Sequence, residues 1–207
     1  MADAVPPPTP VIPSRIETSR LVLRPYVAED GPALFEAVQE TQDELRRWIP
    51  WHDKHPTVEA STETCVRLAG FFRDRTDFTM GIFDRESGRF LGGTGLHRVR
   101  WELPSFEIGY WLRQTAVGHG YVTESTATLV RLCFEELGAA RVELMCDPRN
   151  LRSTAVAERI GFLDEGTLRN ALLGVSGKPR DRKVYALVPD DWERMGPRIT
   201  RLASRDV

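Results

Sequence analysis

The sequence is poor in the side chains that bind metals and form cross-links. Its cysteines are Cys65, Cys133 and Cys146, which are widely separated and include no C-x-x-C pair. This odd number and this spacing argue against a disulfide framework and against a zinc site, and they favour the reducing cytoplasm as the compartment. Among the four histidines, only His52 and His55 lie close in sequence, and no compelling third ligand is nearby, so we predict no metal site.

Long apolar runs and an excess of one charge are also lacking. The apolar runs extend over a few residues, far short of the roughly 20 needed to span a bilayer. The chain carries 28 basic and 30 acidic side chains, a formal net charge of −2. No overall field attracts it to nucleic acid or to an anionic membrane, so we predict neither as a partner. Residues 1–14 are rich in proline, without the basic and apolar regions of a signal peptide, and are predicted to be a disordered tail.

The patterns that are present predict one α/β (α+β) domain over residues 15–197, followed by a C-terminal tail over residues 198–207. At 207 residues and 41% apolar content, the chain is long enough to bury a sizeable core. Alternating apolar residues predict a first strand, and a meander of antiparallel strands is expected from about 77 to 113. A helix is expected to start near Asp30 and to give way to a turn-rich segment from Asp43 onward.

One short segment, "QTAVGHGYVTES" (residues 114–125), joins an aromatic strand to a clear amphipathic helix that Gly138 ends. A dinucleotide fingerprint would need a third glycine where Thr123 stands, and a Walker loop would need G-K-[ST], so neither motif is present. Two interpretations remain. The turn is either a plain tight connection, or a site where glycines let a diphosphate approach the N–H groups from about Val117 to Val122.

The order of several motifs resembles the GNAT acetyltransferase superfamily, and within it the RimJ/RimL branch, which acetylates protein N-terminal amines. The matching segments are "RIETSRLVLRPY", "RRWIPW", "FEIGYWL", "GHGYVTES", "NLRS", "IGF" and "RDRKVYAL". They span about residues 15–195. The resemblance implies a GNAT fold, with a mixed, mostly antiparallel twisted sheet of about seven strands flanked by helices, and with central strands splayed around acetyl-CoA.

The resemblance also implies that acetyl-CoA is the acyl donor. The family's pyrophosphate loop, [QR]-x-x-G-x-[GA], corresponds to residues 115–120, where both glycines match but Thr115 replaces the Gln or Arg and Gln114 stands one position early. The residues implied to contact the cofactor are Trp111, Leu112, Arg113, Val117, Gly118, His119, Gly120, Tyr121, Val122, Asn150 and Ser153.

Two residues are candidates for the chemistry of acyl transfer, which needs a neutral amine and a donor for the leaving thiolate. Glu107 is the candidate base, acting through water, or else a carboxylate that only attracts the substrate ammonium. Ser153 is the candidate donor to the sulfur, and Asn150 is its partner in the N-x-x-S pattern of the RimJ/RimL branch. The alternative is that Asn150 simply caps a helix and that Ser153 follows in its first turn.

The sequence departs from the family at two further positions. Many relatives carry a tyrosine where Ala157 stands, and some carry a glutamate where Leu172 stands. Trp48, Trp51 and Trp101 are predicted to wall the acceptor cleft; the alternative is that "WIPW" packs a helix–loop junction.

We predict transfer of an acetyl group to a protein or peptide N-terminal amine. The alternatives are acylation of a small amine such as an antibiotic or polyamine, transfer of another acyl group such as succinyl, or CoA binding without turnover. The branch also includes homodimers, so self-association is a further option.

Overall fold

The computed structural model describes residues 10–49, 54–174 and 177–204. Its described residues form one eight-stranded sheet in the order β1-β2-β3-β4-β5-β6-β8-β7, flanked by helices. The strands are β1 (Ile16–Glu17), β2 (Leu21–Pro25), β3 (Phe78–Asp84), β4 (Phe90–Arg100), β5 (Ser105–Leu112), β6 (Arg141–Cys146), β7 (Leu163–Leu173) and β8 (Pro179–Leu187). The helices are α1 (Gly31–Trp48), α2 (Val58–Arg73), α3 (Tyr121–Glu135), α4 (Leu151–Ile160) and α5 (Pro189–Ser204).

The sheet confirms the predicted mixed, mostly antiparallel topology. Among the described strands, β5 and β6 are the one parallel pair, because the long crossover through α3 connects them. Their pairing covers Ser105–Glu107 against Arg141–Glu143 and goes no further along the described strands. The two central strands therefore diverge toward their carboxyl ends, as predicted. There are eight strands rather than about seven because the two-residue β1 adds an edge.

Both faces of the sheet are covered by helices. On β2, Leu21 and Leu23 belong to the core that includes α3 and α5, whereas Val22 between them belongs to the core that includes α1 and α2. This is the strand period of two, with an apolar side chain required on each face. Each of the three is at most 6% exposed. Burial of such a side chain contributes about 1.5–3 kcal/mol to folding.

Three sequence predictions are corrected at the ends of elements. Helix α1 continues through Trp48 instead of giving way to a turn-rich segment near residue 43, because Leu45 extends its buried stripe. The predicted tail after residue 197 is helical as far as Ser204, and Ala203 is buried on it. Within the predicted N-terminal tail, Ile12 is 5% exposed and packs in the main core.

Candidate active site

The glycine turn leads directly into α3. Gly118 and Gly120 have φ values of 91° and 79°, in the left-handed region that glycine adopts most readily. Gly120 is the N-cap of α3, and no side chain caps the helix there. The first N–H groups of α3, starting at Tyr121, have no intrahelical acceptor, and the positive end of the helix dipole lies beside them. These donors suit an anion such as a phosphate.

A cleft of about 720 Å³, which we call the glycine-turn cleft, lies in front of this turn. Its walls come from the turn, from the diverging ends of β5 and β6, and from α4. The lining residues on these elements include Tyr110, Trp111, Leu112, Val117, Gly118, Gly120, Tyr121, Val122, Met145, Cys146, Asn150 and Ser153. A Cβ added to Gly118 would meet no protein atom within 4 Å, so it would occupy open space at the cleft.

A buried carboxylate fastens the turn to the rest of the domain. Glu124, in the first turn of α3, is 1% exposed and accepts hydrogen bonds from Thr18 Oγ1 at 2.5 Å and from Arg20 Nε at 2.9 Å. Arg20 also donates to the carbonyl oxygen of His119 at 3.1 Å, and its guanidinium lies 4.5 Å from the centre of the Tyr121 ring. This network connects the glycine turn to the start of β2.

We expect Glu124→Ala to lower the free energy of unfolding by about 3 kcal/mol, because it leaves the Arg20 guanidinium without its buried partner. Urea unfolding followed by circular dichroism measures this loss. Glu135→Ala, on the exposed part of the same helix, is the control and should cost less than about 1 kcal/mol, as surface ion pairs do. Equal losses in the two variants would show that the network does not stabilise the turn.

The structure corrects the assignment of Arg113 as a cofactor ligand. Trp111 and Leu112 line the glycine-turn cleft, but Arg113 does not. Its backbone N–H donates to the carbonyl oxygen of Leu91 at 2.9 Å, and its side chain is buried against α1. There its guanidinium donates to Glu40 Oε2 at 2.8 Å. Arg113 therefore attaches α1 to the end of β5.

The Glu40 carboxylate predicts a loss of stability in acid. Its burial raises the pKa, but hydrogen bonds from Arg113 and from the N–H of Thr115 outweigh burial and lower the pKa to about 2. Because the folded-state pKa lies below the unfolded one, about 4.3, Glu40 contributes stability that is complete above pH 5 and lost as the pH falls toward 2.

We expect the urea midpoint to fall from pH 5 to pH 3 and Glu40→Gln to reduce that dependence, because glutamine carries no titrating charge. Glu135→Gln is the control and should keep the wild-type slope. A Glu40→Gln variant with an unchanged slope would show that this ion pair does not contribute.

Ser153 lies where the glycine-turn cleft meets a second cavity. This α2 cavity, of about 520 Å³, takes one wall from α2. The residues that line both spaces are Trp48, Ile49, Tyr110, Trp111, Met145 and Ser153. The N–H of Ser153 donates to Asn150 Oδ1 at 3.2 Å, so Asn150 does cap α4. Within the described residues, the Ser153 hydroxyl has no protein partner, so it is available to a group held in either space.

Tyr110 lies in the site, and its phenol was not among the functional groups predicted from the sequence. Its hydroxyl donates to the carbonyl oxygen of Ser153 at 3.3 Å, and its ring lines both spaces. Burial raises the pKa of this phenol above its usual range, so it stays protonated at neutral pH. Its single proton is donated to the Ser153 backbone, so the phenol holds this part of α4 beside the junction. The resemblance of its motif, "FEIGYWL", implied only a backbone that binds the pantetheine arm and Glu107 as the candidate base.

Glu107, the predicted base, lines neither space. It accepts a hydrogen bond from Arg182, and its Oε2 lies 3.2 Å from Arg98 Nε. Its side chain is 12% exposed. Arg182 thus occupies one carboxylate oxygen, while the other, Oε2, is buried, is ion-paired with Arg98 and accepts no hydrogen bond within the described residues. The carboxylate therefore does not open onto either space.

The other predicted residues divide between the site and its surroundings. Trp48 lines both spaces, whereas Trp101 packs edge-on between Phe78 and Phe106 at the main core and is not a wall of either space. The prediction for Trp101 is therefore corrected. Trp51 lies outside the described residues. The ring of His119 stacks on Tyr121 beside the turn and does not line the cleft.

Comparison with known protein families gives a further, separate observation about the chain. Residues 20–163 match the family model described as an acetyltransferase (GNAT) domain. The chain belongs to the GNAT acetyltransferase family. It is an acyl-CoA-dependent N-acetyltransferase, and the start of α3 together with the diverging strands is where this GNAT chain has room and donors for the CoA.

Individual relatives resemble this GNAT chain over most of its length. The [ribosomal protein uS5]-alanine N-acetyltransferase of Escherichia coli is 26% identical over 180 residues, which are 86% of this chain and 92% of the relative. The probable N-acetyltransferase YjcK of Bacillus subtilis is 32% identical over 141 residues, 67% of this chain and 77% of the relative. Mycobacterium smegmatis RimJ, solved with a CoA-disulfide, is 27% identical with a TM-score of 0.78 over 88% of each chain.

Among the described residues, no helix is both long enough and apolar enough to cross a bilayer. The cytoplasmic location expected from the cysteines stays a prediction.

Proposed function

We propose that this GNAT enzyme transfers the acetyl group of acetyl-CoA to the α-amine at a protein or peptide N-terminus. The observation that carries the proposal is that the glycine-turn cleft and the α2 cavity lie next to each other and share lining residues, Ser153 among them. The N–H groups in the first turn of α3, which begins at Tyr121, can donate to the diphosphate of acetyl-CoA. The gap between the diverging strands β5 and β6 can accept the pantetheine arm. The thioester then lies near Ser153, and the acceptor enters from the α2 cavity.

The junction supplies what the leaving group needs. When the amine attacks the thioester, the C–S bond breaks and negative charge develops on the sulfur. A hydroxyl donor at the sulfur stabilises that charge. The hydroxyl of Ser153 is free to turn toward it, and the protonated phenol of Tyr110 lies beside it. Thus the absence of a tyrosine at Ala157 does not leave the site without a donor.

The acceptor assignment is supported by relatives that are named for action on ribosomal proteins, including the uS5-alanine enzyme. One observation favours a second candidate. The α2 cavity has a volume typical of small-molecule sites, and Trp48, Leu68 and Phe71 give it apolar walls. A small amine with an apolar body is therefore the alternative acceptor. Preference for acetyl over another acyl group, and self-association, stay predictions.

Two matched peptide pools distinguish the acceptors. One pool has free α-amines and blocked lysines, and the other has blocked α-amines and free lysines. We expect acetylation of the first pool to be faster, because at pH 7 roughly one α-amine in six is neutral, against about one lysine in 2,500. A panel of small amines is assayed in parallel under the same conditions. Acetylation of small amines alone would replace the N-terminal acceptor by the second candidate.

A further inference from the structure

A histidine and an aspartate form a hydrogen-bonded pair at the wall of the α2 cavity. His97, on β4, lines this cavity, and its Nδ1 lies 2.8 Å from Asp77 Oδ2. Asp77 also accepts a hydrogen bond from the hydroxyl of Thr79. Since an ionised carboxylate only accepts hydrogen bonds, Nδ1 of His97 carries a proton, and in the neutral ring Nε2 then keeps its lone pair.

The carboxylate of this pair is held in its ionised form. Burial raises the pKa of Asp77, but the hydrogen bonds from His97 and Thr79 outweigh burial, and the pKa lies below its usual range. An ionised Asp77 favours, in the neutral ring, the tautomer with its proton on Nδ1. The side chains of His97 and Asp77 are only 29% and 28% exposed, so a fixed orientation is maintained by packing as well.

Glycines make room for the ring on the neighbouring strand. A Cβ on Gly109 of β5 would lie 3.0 Å from Cδ2 and 3.0 Å from Nε2 of His97. The Nε2 edge of the ring therefore lies above a bare stretch of β5, which also lines the α2 cavity. Directly after His97 the β4–β5 register shifts, and Arg98 adopts a φ of 49°. Such bulges reorient side chains and concentrate at active sites.

We propose that His97 is the general base that accepts the proton of the acceptor amine at Nε2 and that Asp77 positions it. This inference rests on the amine acylation proposed above and names the group that the reaction requires. It also replaces Glu107 in that role, because Glu107 is ion-paired with Arg98 and Arg182 and lines neither space, whereas His97 lines the cavity where the acceptor enters.

In the proposed step, the acceptor reaches the site as an ammonium and gives one proton to Nε2 of His97, forming an imidazolium stabilised by the Asp77 carboxylate. The neutral nitrogen then uses its lone pair to form a C–N bond with the thioester carbonyl carbon. The C–S bond breaks, and its electron pair leaves on the sulfur of CoA, where Ser153 donates a hydrogen bond. The second proton lost by the nitrogen neutralises the thiolate, and the imidazolium releases the first to solvent, so charge and protons balance.

The charged groups around the ring come from several elements. Asp77, just before β3, is hydrogen-bonded to the ring. Glu107 lies opposite His97 on β5 and is paired with Arg98 and Arg182. The other basic residues that line the same cavity are Arg67 on α2 and Lys54 and His55 before α2. Of the two carboxylates, Glu107 is thus ion-paired with two arginines, whereas Asp77 is the one that is hydrogen-bonded to the ring. A pH profile of the variant therefore reports on this pair.

Replacing His97 by alanine tests the role directly. We expect kcat/KM for the amine at pH 6.5 to fall about 10²-fold, the usual contribution of a general base. The deficit should shrink toward pH 9, because the α-amine, with a pKa of about 7.7–8.0, then reaches the site already neutral. Added imidazole should restore activity in proportion to its concentration. The affinity for CoA, measured by calorimetry, should not change.

Other outcomes overturn the assignment. A His97→Ala deficit that is equal at every pH, with no rescue by imidazole, indicates a structural role. A pH-dependent deficit in Glu107→Gln together with a normal profile in His97→Ala would return the base role to Glu107. Failure of the wild-type protein to release CoA thiol with any acceptor would instead contradict the proposed function, and that assay is run first to separate the two failures.

The positioning role of Asp77 has a readout that does not depend on turnover. In protein labelled with ¹⁵N-histidine, we expect the NMR spectrum of His97 to show the Nδ1-protonated tautomer. Asp77→Asn should shift the ring toward a mixture of tautomers, because an amide can donate as well as accept. The same variant should lose activity in the same pH range as His97→Ala. An unchanged tautomer in Asp77→Asn would show that Asp77 does not orient the ring.

Discussion

Replacing Gly118 by valine is expected to raise the dissociation constant for acetyl-CoA about 100-fold, which corresponds to about 2.7 kcal/mol. A Cβ at this position meets no protein atom and enters the open space of the glycine-turn cleft, where the diphosphate must approach the backbone. A branched side chain is also strained at the observed φ of 91°. Calorimetric titration with acetyl-CoA gives the change in affinity.

Gly88 offers a matched control for this experiment. It lies in the β3–β4 hairpin with a φ of 71°, and a Cβ there also meets no protein atom within 4 Å. Gly88→Val should therefore lose about the same stability, 1–3 kcal/mol, while binding acetyl-CoA normally. The contrast separates backbone strain from obstruction of the cleft. Normal affinity in Gly118→Val would place the diphosphate elsewhere.

Replacing Ser153 by alanine is expected to lower kcat about 10²-fold and to leave the affinity for acetyl-CoA unchanged, because the hydroxyl is needed when charge develops on the sulfur. The helix cap survives this change, since it uses the backbone N–H of Ser153 and the side chain of Asn150. Steady-state kinetics with thiol detection measure kcat, and calorimetry measures affinity.

Two companion variants sharpen the result. Thr154→Ala changes the neighbouring residue of α4, which lines neither space, and should retain the wild-type kcat. Tyr110→Phe removes the phenol that donates to the Ser153 carbonyl. If Tyr110→Phe lowers kcat and Ser153→Ala does not, the Ser153 hydroxyl is not the donor to the sulfur. If both retain kcat, neither hydroxyl acts on the leaving group.

Features governed by nearby residues could be predicted from the sequence. The unit of β5, glycine turn, α3 and β6 follows from periodicity. The end of α3 was predicted less closely, because the helix ends at Glu135 with Glu136 as its C-cap, and Gly138, with a φ of 63°, lies three residues after that end. The parallel pairing of β5 and β6 follows from the length of the crossover. Local hydrogen bonds such as the Asn150 cap could be predicted for the same reason.

The interactions that decide the chemistry join residues far apart in sequence. Glu107 is paired with Arg182, 75 positions away, so a strand carboxylate that looked available as a base is occupied. His97 gains its partner Asp77 across 20 positions through the antiparallel pairing of β3 and β4. Periodicity does not identify such contacts, because they depend on strand register and bulges that a single sequence leaves undetermined.

Some errors came from side chains with two suitable environments. Trp101 was assigned to the acceptor cleft with Trp48, yet it packs between Phe78 and Phe106. Both tryptophans have the same burial tendency, and only the fold separates them. Arg113 similarly belongs to a strand whose preceding residues line the cleft, while its own side chain turns to Glu40 on α1.

Acetyl transfer to an α-amine is tested most directly by following both products of one reaction. The protein is mixed with acetyl-CoA carrying a labelled acetyl group and with a peptide whose α-amine is free. Thiol release is recorded by absorbance, and the peptide is analysed by mass spectrometry. We expect one labelled acetyl group on the α-amine for each thiol released. Saturable binding of acetyl-CoA with neither thiol release nor labelled product, across peptides and small amines, would contradict the proposed acetyl transfer.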